Sequence, residues 1–97
     1  MEYIIIDGYF SGTGIRDKYN GGYILPESLN LSPALIDKLK KWLTKYGSEF
    51  FNQYSDSERI KTLDEEGEQV AILVKKECAN TKVEYYSDAM MNTLYIK

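Results

Sequence analysis

The residue types that most often carry catalysis are scarce in this chain. Its 97 residues include no histidine and a single cysteine, Cys78. Without an imidazole, no histidine base can activate the Cys78 thiol, and a zinc site is nearly excluded. Cys78 continues the apolar face of a predicted helix, so we interpret it as a buried structural cysteine. A lone cysteine cannot form an internal disulfide, which fits a reducing cytoplasm.

Carboxylates are the remaining groups that could perform acid–base or metal chemistry. The aspartates that could supply oxygen ligands for Mg²⁺ or Ca²⁺ are Asp7, Asp17, Asp56, Asp64 and Asp88. Their spacing does not follow a calcium-binding loop, and no spacing favours a general acid–base pair. The segment Gly12-Thr13-Gly14 is a poor phosphate loop, because about 18 residues separate it from the next predicted helix. We therefore expect a protein that holds no metal or cofactor and is not an enzyme.

Composition instead favours a protein-binding module. Nine residues are tyrosine, and 15 acidic residues outnumber 12 basic ones, for a net charge of −3. Tyrosine is enriched at the centres of protein interfaces, and excess carboxylates attract a basic partner. Six acidic and two basic side chains fall within residues 55–69, so the acidity is local. For Asp64, Glu65 and Glu66 the alternative interpretation is a helix N-terminus, where acids interact favourably with the helix dipole. Nucleic-acid binding would require a basic surface instead.

The first half of the chain predicts a strand, a loop and a helix. Residues 2–10 alternate with apolar side chains on both sides, which is typical of a central strand. Residues 11–22 contain four glycines and predict a mobile loop, and residues 23–25 predict a short second strand. The pair Ser32-Pro33 predicts a helix start, with serine as N-cap and proline at the first helical position. Trp42 lies at the centre of the apolar face of that helix, so we expect it to be buried.

The second half predicts a polar loop at 52–61 and a second helix from Leu63 to Ala79. Thr62 is the predicted N-cap, with Glu65 as its capping-box partner. Gly67 lies on the apolar face of this helix, where a costly glycine suggests that another element approaches closely.

A terminal hairpin follows, with strands at 82–87 and 93–96. The sequence therefore predicts one α+β domain over residues 1–97, in which a small, mostly antiparallel sheet of three to four strands packs against two helices. The first strand should pair with the C-terminal strands. No apolar run is long enough to span a membrane, and residues 1–7 lack the features of a secretory signal, so we expect a cytoplasmic location.

Three segments carry a resemblance to a known family. They are the run Tyr23 to Leu39 continued by Trp42 and Tyr46, the residues Leu63-Asp64-Glu65-Glu66-Gly67, and the strand Val83-Glu84-Tyr85-Tyr86. With these segments the chain resembles, over nearly its whole length, the small acidic immunity proteins of bacterial contact-dependent growth inhibition and related polymorphic toxin systems. The shared motifs are caps, core positions and a helix glycine, so no catalytic residue is carried over.

The resemblance implies a cytoplasmic immunity protein that binds a cognate basic toxin domain and neutralises it. The toxin domain would be a nuclease, and in particular an RNase. The resemblance implies no direct contact with nucleic acid or membrane, and it allows a larger complex containing a host factor that the toxin uses. Two functions of other classes stay open: a non-enzymatic adaptor for a different protein and, least favoured, a small carboxylate-dependent hydrolase.

The partner-binding surface is predicted from charge and exposure. The loop at 11–22 and the acidic segment are poor candidates for the core, and both fit a basic partner. Exposed tyrosines beside these acids are candidate aromatic anchors. The predicted partner-binding residues are Asp17, Tyr19, Tyr23, Asp56, Glu58, Asp64, Glu65, Glu68 and Tyr86.

Overall fold

Two long helices cover one face of a four-stranded mixed sheet. The computed structural model describes residues 2–97. The strands are β1 (Tyr3–Asp7), β2 (Ile15–Asp17), β3 (Lys82–Ser87) and β4 (Asn92–Ile96). The helices are α1 (Pro33–Phe51) and α2 (Ser57–Glu77), and a 3-10 turn at Pro26–Leu29 precedes α1. The predicted α+β architecture is confirmed.

The strands lie in the order β2-β1-β3-β4. The outer pairings, β2 with β1 and β3 with β4, are antiparallel, and the central pairing of β1 with β3 is parallel. The predicted pairing of the first strand with the C-terminal strands is therefore confirmed. The parallel direction is possible because a long connection, which contains β2 and both helices, carries the chain back across the sheet from β1 to β3.

The prediction for residues 11–25 was partly wrong. The strand β2 lies inside the segment predicted as a loop, where Ile15 pairs with Ile6 and is fully buried. Residues 23–25 form no strand, and Tyr23 makes an isolated bridge to Arg16 instead. The strand β2 has only three residues, of which the apolar Ile15 supplies the core contact.

The predicted start of the second helix was also wrong. Helix α2 begins at Ser57, inside the predicted loop at 52–61, and Asp56 is the N-cap, with its side chain accepting a hydrogen bond from the Arg59 N–H at 3.1 Å. Thr62 lies within the helix and its hydroxyl donates to the Glu58 carbonyl. The helix ends at Glu77 with Cys78 as C-cap, two residues before the predicted end at Ala79.

The predicted start of α1 and the predicted burial of Trp42 are both confirmed. The Ser32 hydroxyl caps α1 by accepting from the Leu35 N–H at 3.3 Å, and Pro33 opens the helix. Trp42 is fully buried and its indole N–H donates to the Leu63 carbonyl at 2.8 Å, which ties α1 to α2. Within residues 2–97, neither helix combines the length and apolarity needed to cross a bilayer.

Gly67 marks the close approach that its position predicts. A Cβ added to it would lie 2.4 Å from Cε1 of Tyr85 and 2.7 Å from Cζ2 of Trp42. Both distances are far below normal carbon–carbon contact. The glycine therefore allows α2 to lie directly against the rings of Trp42 and Tyr85, which join α1 and β3 to it.

Candidate functional site at the groove between α2 and β4

The clearest concave surface near the acidic segment runs between α2 and the β3–β4 hairpin. It consists of two adjoining depressions of about 410 and 370 Å³, which share Asp64, Glu68 and Met90 in their linings. We call this surface the α2–β4 groove and define it by Ile60, Asp64, Glu65, Glu68, Met90 and Leu94.

Apolar side chains supply the contact surface of the groove. Ile60 is buried at its base, whereas Met90 is 63% exposed and Leu94 is 46% exposed. The neighbouring Met91 is 76% exposed. Exposed methionines are flexible and polarizable, so they fit varied partner surfaces. A cluster of exposed apolar groups with a polar surround is typical of a protein–protein contact site.

Acidic side chains line the helical side of the groove. Glu65 is exposed and Glu68 half-buried, and no ion pair formed within residues 2–97 involves either one. Their neighbour Glu66, by contrast, is paired with Lys45 at 2.8 Å. Arg59, about two turns before Glu66, is directed to Glu49 at 3.2 Å. Lys61 also lines the groove, but no ion pair formed within residues 2–97 involves it. Three carboxylates and one ammonium therefore leave the groove with a net negative charge.

Asp64 fixes the hairpin to α2. Its carboxylate accepts hydrogen bonds from the hydroxyls of Tyr46 (2.8 Å), Tyr85 (2.6 Å) and Ser87 (2.8 Å). Burial raises the pKa of Tyr46 to about 12, although the contact with the Ser87 hydroxyl and the hydrogen bond from the Ala89 N–H oppose the shift. Burial, followed by the Asp64 carboxylate, also raises the pKa of Tyr85. Both phenols thus keep the protons that they donate to Asp64 at neutral pH.

The same network shapes the turn that carries Met90. The Ala89 N–H donates to the Tyr46 hydroxyl at 3.2 Å, and the Met90 N–H donates to the Ser87 hydroxyl at 3.1 Å. Met91 has a positive φ of 57° and its N–H donates to the Ser87 carbonyl at 2.7 Å. Because buried hydroxyls hold the turn, the exposed methionines project from a defined backbone.

Asp7 organises a second polar cluster on the face of the sheet opposite the helices. It is 1% exposed and accepts from the Tyr23 hydroxyl at 3.1 Å and from Arg16 at 3.2 Å. The Arg16 guanidinium also lies over the Tyr86 ring, 5.9 Å from its centroid. Burial raises the pKa of Asp7, and Arg16 opposes the shift. Since internal donors occupy both Asp7 oxygens, the cluster joins β1, β2 and the Tyr23 segment.

Asp17 and Tyr19 belong to the turn after β2. Asp17 accepts from the backbone N–H groups of Tyr19 (3.0 Å) and Asn20 (3.2 Å) and from the Asn20 side-chain amide (3.0 Å). Hydrogen bonds from Asn20 lower the pKa of Asp17. Tyr19 is 67% exposed and its ring packs edge-on against Tyr3. Asp17 therefore stabilises the turn, and Tyr19 is its exposed aromatic side chain.

Glu84 forms a polar contact on the same face as Asp7. It is nearly buried and accepts from Lys18 at 2.6 Å and from the Tyr3 hydroxyl. Burial alone would raise the pKa of Glu84, but the hydrogen bonds from Lys18 and Tyr3 outweigh it and hold that pKa below its ordinary value. The Lys18 ammonium lies 4.3 Å from the Tyr3 ring centroid, which adds a cation–π contact.

The structure distributes the predicted partner-binding residues over two regions. The α2–β4 groove brings together Asp64, Glu65 and Glu68. At the start of the same helix, Asp56 is the N-cap and Glu58 lies in the first turn. The other region, on the β2 side of the sheet and the face opposite the helices, holds Asp17, Tyr19, Tyr23 and Tyr86. Because β2 and β4 are opposite edges, about 14 Å separates them at normal strand spacing.

Sequence reasoning missed the apolar half of the groove. Met90 and Met91 form an adjacent methionine pair in a predicted turn, which is a signal for exposed apolar contact surface that the sequence offers. The role of Asp64 had no such signal, because its three hydroxyl partners are 18, 21 and 23 residues away along the chain.

The remaining candidates for chemistry lie apart from the groove. Cys78 is half-buried, and burial raises the pKa of its thiol, which disfavours the reactive thiolate. Within residues 2–97, no three side chains of histidine, cysteine, aspartate or glutamate are grouped so that they could hold a metal ion. Comparison of the chain with protein-family models, with curated proteins and with solved structures gave no match.

Proposed function

We propose that this protein is an immunity protein that binds a basic nuclease toxin domain in the cytoplasm and neutralises it without catalysing a reaction. The observation that carries the proposal is the α2–β4 groove, in which exposed apolar side chains lie beside carboxylates that form no ion pair within residues 2–97. A bound partner would bury the exposed apolar surfaces of Met90 and Leu94, which favours binding. Glu65 and Glu68 supply charge that a basic partner complements.

The charge of the groove suits a nuclease, and we propose an RNase. An enzyme that binds RNA needs a basic surface for the phosphate backbone. Carboxylates at the groove attract that surface, speed the encounter and compete with the polyanion for it. Inhibition then requires no chemistry from the immunity protein, only occupation of the surface that RNA would use.

The basic residues of α1 do not suggest a nucleic-acid site. Three of its four lysines, Lys40, Lys41 and Lys45, each form an ion pair with a carboxylate, at 2.9, 3.0 and 2.8 Å, and only Lys38 forms none within residues 2–97. Binding a polyanion there would compete with these internal carboxylates. The distribution of charge thus supports a protein partner over a nucleic acid.

The experiment is co-purification of this chain with the product of the gene directly upstream, followed by measurement of association rates at two salt concentrations. The test variant is Glu65→Lys with Glu68→Lys. It should slow association at least about tenfold and reduce its salt dependence, because favourable charges near the contact act mainly on the on-rate.

A matched control reverses two acids elsewhere. Glu27→Lys with Asp37→Lys makes the same change in net charge at exposed positions of the 3-10 turn and α1. Their surface ion pairs contribute little to stability, so the control should fold and associate within about threefold of the parent. Equal effects of the two variants would show that overall charge, and not the groove, governs binding.

A further inference from the structure

The outer edge of β4 differs from the other edge of the sheet in being open along its whole length. Within residues 2–97, β4 pairs with β3 alone, and no strand lies on its other side. At the opposite edge, β2 has three residues, and its outer side already receives the Ile24 N–H at the Ile15 carbonyl, 2.8 Å away. Unpaired N–H and C=O groups of an edge strand are a template for another strand.

The sequence of β4 has none of the residues that usually prevent strand pairing at an exposed edge. Asn92-Thr93-Leu94-Tyr95-Ile96 contains no charged residue, no proline and no glycine. Lysine, proline and bulges are the usual devices against strand pairing. Leu94 is 46% exposed and Tyr95 is 47% exposed, so each face of the strand offers an apolar side chain at this edge.

The charges beside β4 determine what can pair with it. Asp64 and Glu68 line the same depression as Asn92, Thr93 and Leu94, so carboxylates lie along the helix side of the strand. A second copy of this chain would bring its own carboxylates to that place. A strand with basic side chains would instead meet opposite charges.

We infer that an extended segment of the basic partner adds to the sheet as a fifth strand along Asn92–Ile96. This inference rests on the proposed function and specifies how the partner binds. Backbone hydrogen bonds join the two chains, as in other cases of strand addition. Alternate side chains of the added strand point into the α2–β4 groove, where basic groups reach Glu65 and Glu68 and apolar groups contact Leu94. The side chains between them face Tyr95 on the other side of the sheet.

Backbone hydrogen exchange tests the added strand directly. In an antiparallel pair, alternate residues of β4 direct their N–H groups to β3 and the others to the open edge. In the free protein, the outward N–H groups of residues 92–96 should exchange fast and the inward ones slowly. In the complex with the upstream gene product, exchange of the outward N–H groups should become at least about tenfold slower. They would then be protected in the same way as the inward N–H groups.

Proline substitution provides a second measurement. Of the neighbours Thr93 and Leu94, one directs its N–H outward, and proline at that position is tolerated on an edge strand. Thermal unfolding of Thr93→Pro and Leu94→Pro identifies the tolerated one. That variant should bind the upstream product at least about tenfold more weakly, whereas valine at the same position, which keeps the N–H group, should bind within about threefold of the parent.

The outcomes separate this inference from the proposed function. A complex that depends on Glu65 and Glu68 but leaves the outward N–H groups unprotected, or binds the proline variant normally, would overturn the added strand and leave the proposed function intact. Protection that rises with the concentration of the free chain would assign the edge to a second copy. The absence of any complex would overturn both proposals.

Discussion

Replacing Gly67 with alanine should destabilise the protein, although alanine is the better helix former. In an open helix position this change would stabilise by about 1 kcal/mol. Here the new Cβ would lie 2.4 Å from the Tyr85 ring and 2.7 Å from both the Trp42 ring and the Tyr85 hydroxyl oxygen. Trp42 is fully buried and Tyr85 nearly so, and Tyr85 donates to Asp64, so the rings cannot move without breaking other contacts.

The expected size follows from these opposing effects. Overpacking a well-packed core costs about 1–3 kcal/mol, and three contacts below 3.0 Å indicate the upper half of that range. After subtracting the helix propensity of alanine, Gly67→Ala should lower the free energy of unfolding by about 1–2 kcal/mol. For a domain of this length, the Tm should fall by roughly 5–10 °C.

Gly47 provides a matched control in α1. It is also a buried helix glycine, but a Cβ added there would lie 3.5 Å from Cβ of Phe10 and 3.8 Å from its Cα, at ordinary contact distance. Gly47→Ala should therefore stabilise by up to about 1 kcal/mol. Urea unfolding followed by Trp42 fluorescence measures both variants. A Gly67→Ala protein as stable as the parent, or equal losses in both variants, would refute the close approach of α2 to Tyr85.

Three further predictions concern the site and its polar contacts. Asp64→Ala should lower the free energy of unfolding by about 2–4 kcal/mol, since it removes the acceptor that three hydroxyl donors share. A loss below about 1 kcal/mol in urea unfolding would contradict the network. Glu84→Gln should make the free energy of unfolding less dependent on pH at acidic pH. The pKa of Glu84 is held below its ordinary value of 4.5, so the ionised carboxylate stabilises the fold above that pH and loses this contribution as the pH falls below it. Unfolding free energies that change in parallel in both proteins between pH 6 and 3 would contradict this. Met90→Ala should raise the dissociation rate of the complex with the upstream product while leaving the Tm within a few degrees, because the side chain is 63% exposed; an unchanged dissociation rate would exclude Met90 from the contact.

Local signals in the sequence were sufficient where a few neighbouring residues determine the structure. Ser32-Pro33 predicts the start of α1, and the apolar spacing around Trp42 predicts its buried face. The start of α2 was missed because the segment before Leu63 was judged by its polarity. Asp56 is itself a strong N-cap type, and Ile60, three residues before Leu63, continues the apolar face towards it.

Other features depend on residues far apart in the chain and have no local signal. The strand β2 exists because Ile15 fits beside Ile6, and its three residues alone would not predict a strand. The groove likewise forms only when α2 and the hairpin meet, through hydroxyl groups on α1 and β3 that converge on Asp64. Charge predicted the acidic half of the site, whereas packing alone determines its apolar half.

The most direct measurement is inhibition of the purified upstream gene product by this chain in an RNA-cleavage assay. Stoichiometric addition should abolish cleavage, and the Glu65→Lys, Glu68→Lys variant should require at least about tenfold more protein for the same inhibition, while the Glu27→Lys, Asp37→Lys control should match the parent. Cleavage that continues undiminished in excess parent protein would contradict the proposed function.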